Sequence, residues 1–193
     1  MSDETVPTVP ERFFDRREIL SFGAAATFLA ALCGPTEALA AAKVANPRTI
    51  SLYNVNTGEK LIRAEYWSKG KYLKDSLRSI SRLLRDHRTG EIKSIDPRLV
   101  DLMSVLQSRV GNKQPFTVIS GYRSPSSNRL LREDSSGVAR HSYHMEGKAV
   151  DIRMPGSSLR GLHQAALRLK SGGVGFYPSS DFVHVDVGPV RVW

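Results

Sequence analysis

The segment from Ser120 to Asp186 constrains this chain more than any other. It carries Ser120-Gly121-Tyr122-Arg123-Ser124-Pro125, then Ser142-Tyr143-His144-Met145-Glu146-Gly147-Lys148-Ala149-Val150-Asp151, then Phe182-Val183-His184-Val185-Asp186. His144 stands seven residues before Asp151, and His184 sits inside a short apolar run. A fold that gathers these three side chains offers two imidazoles and one carboxylate. That is a zinc set with a fourth position left open. An open position marks a catalytic site, because water there becomes acidic enough to act as a nucleophile near neutral pH. A lone H-x6-D pair means little. The order of the three pieces and their embedding give the pattern its weight.

The surrounding chain reads as scaffold. Thr49–Val55 and Lys60–Tyr66 alternate apolar and polar residues around Asn56-Thr57-Gly58, the signature of a β-hairpin. Tyr72, Leu73, Leu77, Ile80, Leu83 and Leu84 recur at helical spacing, with His87 at the helix end in a structural or surface role. Asp96-Pro97 opens a second helix as N-cap and first-turn proline, Leu99, Leu102, Met103, Leu106 and Val110 form its stripe, and Gly111 stops it. Phe116–Ser120 is a strand whose exit, bent by Gly121 and Pro125, carries Tyr122 and Arg123. Asn128–Arg132 forms a helical turn, and Glu133–Arg140 a loop bordering a groove. Ala149–Arg153 is a strand bearing Asp151, with His144 in the loop before it and Gly147 turning the chain between them. Ser157 or Ser158 caps a helix that runs to about Lys170, carries a structural His163 and is broken by Gly172-Gly173. Val174–Tyr177 and Phe182–Val187 then pair antiparallel. The expected class is α+β: a small antiparallel sheet packed with helices, with the zinc site at the sheet.

Residues 1–40 read as an export signal. Arg16-Arg17 precedes the apolar stretch Ile19–Cys33, and Ala38-Leu39-Ala40 supplies a cleavage site. The paired arginines followed by Ile19-Leu20 resemble a twin-arginine signal. Residues 41–48 read as a linker and 49–193 as one domain. The expected location is the periplasm or cell envelope, with membrane contact only through the signal. Net charge is +9, and the acidic balance of residues 1–40 means that their removal leaves the remainder more basic still. A basic surface suits a polyanionic partner such as the cell wall. No nucleic-acid motif accompanies the charge. Cys33 is the only cysteine and lies in the signal, which excludes cysteine nucleophiles and thiolate zinc ligands from the domain.

These residues resemble the murein endopeptidase K family within the zinc D-Ala-D-Ala carboxypeptidase and hedgehog-like metallopeptidases. The likeness is carried by Ser120–Pro125, by Ser142-Tyr143-His144 with Gly147, Ala149 and Asp151, by Gly172–Pro178, and by Phe182–Asp186, and it runs from about Thr49 to Trp193. It implies a hedgehog-like or D-Ala-D-Ala-peptidase-like fold. It implies one zinc ion on His144, Asp151 and His184, and a peptide of peptidoglycan as substrate. Strand alternation puts Asp186 on the same side as His184, so it serves either as that ligand's partner or as general base. Asp181 competes for the base role, because relatives carry an acid three residues before the last ligand. Asp186 is the preferred base. Arg123 is the candidate for holding the substrate and stabilising developing negative charge. Ser142 is a hydrogen-bonding candidate, and His141 stays outside the ligand set.

The resulting reading is an exported zinc-dependent murein endopeptidase that hydrolyses peptide cross-links, with a monomer favoured and the D,D or L,D nature of the bond left open. Two alternatives stand beside it: a D-Ala-D-Ala carboxypeptidase, and a non-catalytic wall-binding module on the same fold. Ser68-x-x-Lys71, Ser126-x-Asn128 and Lys170-Ser171-Gly172 mimic the serine penicillin-binding enzymes, but they leave the histidine and aspartate pattern unexplained.

Overall fold

Among the described residues eight strands form one mixed sheet in the order β3-β2-β1-β4-β5-β7-β6-β8. They are β1 (Arg48–Asn54), β2 (Lys60–Ser68), β3 (Lys71–Tyr72), β4 (Phe116–Ser120), β5 (Ala149–Arg153), β6 (Gly173–Tyr177), β7 (Phe182–Asp186) and β8 (Arg191–Val192). Among the described residues four helices accompany them: α1 (Lys74–Leu83), α2 (Pro97–Val110), α3 (Pro125–Asp134) and α4 (Leu159–Leu169). This computed structural model describes residues 46–193 apart from 112 and 135–137. The export signal expected at 1–40, with Cys33, and residues 41–45 of the expected linker lie outside them. Among the described residues no helix is long and apolar enough to cross a membrane.

The α+β class is as expected, but the sheet is larger and not wholly antiparallel. β1 runs parallel to β4, and β6 parallel to β8. The chain between β1 and β4 passes through the β2–β3 hairpin and two helices, and such a crossover lets strands run in the same direction. β8 is two residues long, too short to leave a periodicity in the sequence.

Period-two alternation divides each strand between a core face and an open face. Ile50, Leu52, Phe116, Val118, Val150, Ile152, Val183 and Val185 join Leu84, Leu99, Met103, Leu106 and Leu162 in a single core. The intervening positions Asp151, His184 and Asp186 therefore project to the other face. α2 behaves as its sequence dictates. Asp96 accepts from the Arg98 amide, Pro97 opens the helix and Gly111 ends it in the left-handed region.

Several local readings change. Tyr72 lies in β3 and Leu73 is the extended residue before α1, so the helix begins two residues later than the spacing implies. His87 sits in a turn beyond α1. α3 starts at Pro125, where a fixed φ suits a first helical position, and is longer than a turn. α4 is capped by Ser158 and ends at Lys170, whose own left-handed backbone (φ 49°) stops it before Gly172-Gly173. Ser68 closes β2 and Lys71 opens β3, so no helix brings them to one face and the serine-enzyme mimicry has no structural basis.

Asp86, buried at 2% exposure, ties two loops together. It accepts from the amides of Arg88 (2.9 Å) and Ser124 (2.7 Å). Burial alone would raise its pKa, but these hydrogen bonds outweigh it and hold the carboxyl well below the usual range. A lowered folded value means stability that is present above about pH 4 and lost as pH falls through that value. Asp86→Asn is expected to cost about 1–3 kcal/mol in urea unfolding near neutral pH. The loss should shrink toward acid, which a series of urea midpoints between neutral and low pH would read.

Candidate metal centre

Three side chains converge on the open face from three elements. Asp151 lies mid-strand in β5, directly opposite His184 of β7. His144 comes from a 3-10 turn, Tyr143–Glu146, that precedes β5. Ser142 caps this turn by accepting from the His144 amide (3.3 Å). Gly147 ends it at φ 68°, where a Cβ would also lie 2.6 Å from the Ser94 carbonyl oxygen. Only glycine satisfies both conditions without strain.

The donor atoms are defined by what holds the far side of each ring. His144 Nδ1 donates to the Gly121 carbonyl at 2.7 Å, which turns Nε2 toward the centre. His184 Nε2 donates to Asp186 Oδ2 at 3.0 Å, which turns Nδ1 toward the centre. His144 Nε2 and His184 Nδ1 are 3.2 Å apart, and they lie 3.3 and 2.9 Å from Asp151 Oδ1. Bonds of about 2.0–2.1 Å to a tetrahedral metal place ligand atoms about 3.3 Å from one another. The donor set therefore fits a single divalent ion such as zinc, and a carbonyl or carboxylate on the second nitrogen is how metal-binding histidines are oriented. His144, Asp151 and His184 are all buried. Burial opposes charge on Asp151 and His184, yet their contacts win: the His144 and His184 imidazoles hold Asp151 far below the usual carboxylate range, and Asp151 and Asp186 raise His184.

Asp186 is fully buried and does not line the cleft. Its Oδ1 accepts from the amides of Gly173 (3.0 Å) and Gly188 (2.8 Å), and its Oδ2 accepts from Arg191 Nη2 (2.7 Å) as well as from His184. Of the two roles that alternation allows, this geometry favours the orienting partner over the general base. Asp181 pairs with Arg153 at 2.9 Å and lines a different hollow, so it stands away from the three donors.

The centre opens into a cleft of about 850 Å³ lined by Arg88, Arg123, His141, Tyr177, Arg191 and Trp193, among others. Arg123 leaves the exit of β4, fixed because its amide donates to the His144 carbonyl (3.2 Å) and the next amide to Asp86. Its side chain is only 11% exposed, with Nη2 3.7 Å from Asp151 Oδ2. Its buried Nε has no hydrogen-bond partner among the described residues. A guanidinium with unspent donors beside a metal site suits a carboxylate or carbonyl ligand. His141 lines the cleft but stands outside the donor set. His163 stacks on Phe176 at 4.7 Å.

Sequence reasoning missed Asp86, Arg191 and Trp193. Nothing in the composition of residues 187–193 signals a strand that returns to the site.

Residues 42–193 match the family described as "Peptidoglycan L,D-endopeptidase MepK". The chain is 43% identical over 179 residues to the protein of that name from Escherichia coli (strain K12), covering 93% of this chain and 97% of that protein. It is 39% identical over 180 residues to the probable peptidoglycan L,D-endopeptidase MepK of Haemophilus influenzae, covering 93% and 95%. Among solved structures it is similar to "Crystal structure of Serratia marcescens L-Ala D-Glu endopeptidase ChiX", at 23% identity and a TM-score of 0.32 over 39% of this chain and 62% of that one. That last overlap is too slight to bear on fold or site.

If Asp186 orients His184, Asp186→Asn should weaken zinc binding by about 10–100-fold. Arg191→Met should weaken it less, because the two amides still hold Asp186. Competition against a chromophoric chelator reads both, and unchanged zinc affinity in both variants would return Asp186 to the general-base role.

Proposed function

The chain belongs to the peptidoglycan L,D-endopeptidase MepK family and is a peptidase, and we propose that it is a zinc-dependent murein endopeptidase that hydrolyses L,D peptide cross-links. The observation that carries the zinc assignment is the set of three donor atoms, His144 Nε2, Asp151 Oδ1 and His184 Nδ1, between 2.9 and 3.3 Å apart. The names of the relatives point to the L,D bond, which the sequence leaves open. The expected setting is the cell envelope, reached through the signal read at residues 1–40. The basic net charge of +9 suits an anionic wall.

A divalent ion in this site would polarise the scissile carbonyl and make attack by water possible near neutral pH. The residues do the rest. His144 and Asp151 keep their positions because the turn, β5 and the Gly121 carbonyl fix them. Asp186 acts as a positioning residue that holds the His184 ring through Nε2. Arg123 takes a substrate carbonyl or carboxylate with its free donors and stabilises negative charge as the carbonyl is attacked. His141 is the cleft-lining imidazole outside the donor set, and an imidazole can both take and give a proton. We assign it the transfer of the water proton toward the leaving amine.

Digestion of purified peptidoglycan, read by the mass of released muropeptides, tests this function. L,D-linked dimers should disappear, chelator should prevent it and zinc should restore it. Loss of terminal D-Ala instead would favour the carboxypeptidase, and zinc binding without hydrolysis would favour the wall-binding module. Arg123→Lys is expected to lower kcat/KM by about 100-fold, since the forked donor geometry is lost while charge is kept. His141→Gln should lower kcat without changing zinc affinity, whereas Asp186→Asn should change both.

A further inference from the structure

Trp193 is held in the cleft more rigidly than packing requires. Its backbone amide donates to the Val174 carbonyl (3.2 Å), and its carbonyl accepts from the Phe176 amide (3.1 Å). Its indole Nε1 donates to the Tyr177 hydroxyl at 2.7 Å. The Arg191 guanidinium lies 5.0 Å from the centre of its ring and 5.1 Å from that of Tyr143. Beneath the indole is Gly175, where a Cβ would stand 2.7 Å from Trp193 Cε2 and 2.8 Å from its Nε1. Glycine at that one strand position lets the indole lie against β6. The residue is nonetheless 47% exposed and lines the cleft.

A large aromatic surface fixed at its backbone and its N–H, with Gly175 beneath it and the Arg191 guanidinium over its ring, and still about half open to the cleft, is built to contact a ligand. Aromatic side chains supply apolar contact area at little conformational cost. Trp193 also lies close to the reacting centre, since its ring is 5.2 Å from the ring of His184. An extended peptide advances only about 3.3 Å per residue, so a chain lying across the centre would set a residue near the scissile bond against Trp193. We propose that Trp193 is a substrate-binding platform that takes the aliphatic side chain of a peptide residue flanking the scissile bond. This rests on the peptidase reading above and adds the subsite to it. The wall's sugars are the rival ligand for an indole, and the short distance to His184 favours the peptide.

The test compares wild type, Trp193→Ala and Trp193→Phe on cross-linked muropeptide dimers and on the same dimers stripped of their sugars. Trp193→Ala should raise KM about tenfold on both substrates with kcat nearly unchanged, and Trp193→Phe should recover most of the loss. An unchanged KM would overturn the proposal, as would a KM effect that vanishes with the sugars. A fall in kcat together with weaker zinc binding would instead make Trp193 part of the metal support, which also overturns it. A second arm needs no catalysis. The chain has two tryptophans, so Trp67→Phe leaves Trp193 as sole emitter. Adding sugar-free dimers to this variant without metal should shift its emission, and no shift at saturating peptide would count against the platform. If wild type fails to cleave but the emission shifts, the hydrolase reading falls and the subsite stands.

Discussion

The pairing of Asp151 with His184 across β5 and β7 is the contact on which the site depends. A carboxylate and an imidazole meet in a buried place because two strands are in one register. That register is enforced from the other face, where Val150 faces Val185 and Ile152 faces Val183 within the core. A slip of one residue would move every side chain of one strand to the opposite face. It would expose the valines and drive the histidine into the core, so the apolar half of each strand protects the polar half. Asp151 would not stay charged in such a place alone; the imidazoles beside it make its burial tolerable.

His144 needs a different device because it does not come from a strand. Two groups after β4 hold it in place, and a third steadies them from the turn beyond α1. The Gly121 carbonyl receives its ring N–H, the Arg123 amide donates to its carbonyl, and Asp86 anchors the next residue, Ser124. The same bend also aims the Arg123 side chain at the cleft. Arg123, which would bind the substrate, and His144, which would bind the metal, are therefore fixed by one loop. Loosening that loop should affect both together.

The parts legible in the sequence are those where one residue type meets one local requirement. The Asp96-Pro97 helix start and the hairpin around Asn56-Thr57-Gly58 were readable, since cap and turn chemistry each leave a short local signature, and the convergence of His144, Asp151 and His184 was readable from the order of three separate segments together with their family resemblance. Tyr72 was misread as helical, because an apolar residue at the right spacing satisfies a helix and an edge strand alike. Its hydroxyl in fact donates to Asp101 from β3. Asp86 and Arg191 were not readable. Their partners lie in other loops, and a polar residue in a short turn looks the same whether it ends in solvent or in a buried knot.

The position of Asp186 follows from imidazole geometry. His184 directs Nδ1 at the donor cluster and Nε2 at Asp186, and these nitrogens lie on opposite flanks of the ring. An ion held at Nδ1 would then be separated from Asp186 by the width of the ring plus a hydrogen bond, roughly 6–7 Å in all. On an antiparallel strand the residue two positions beyond a ligand can serve the far nitrogen of that ligand's ring or reach the open coordination position, but one carboxylate cannot do both. Gly173, Gly188 and Arg191 all converge on Asp186. They hold it as a fixed anion, suited to keeping a proton on Nε2 and unsuited to passing one back and forth.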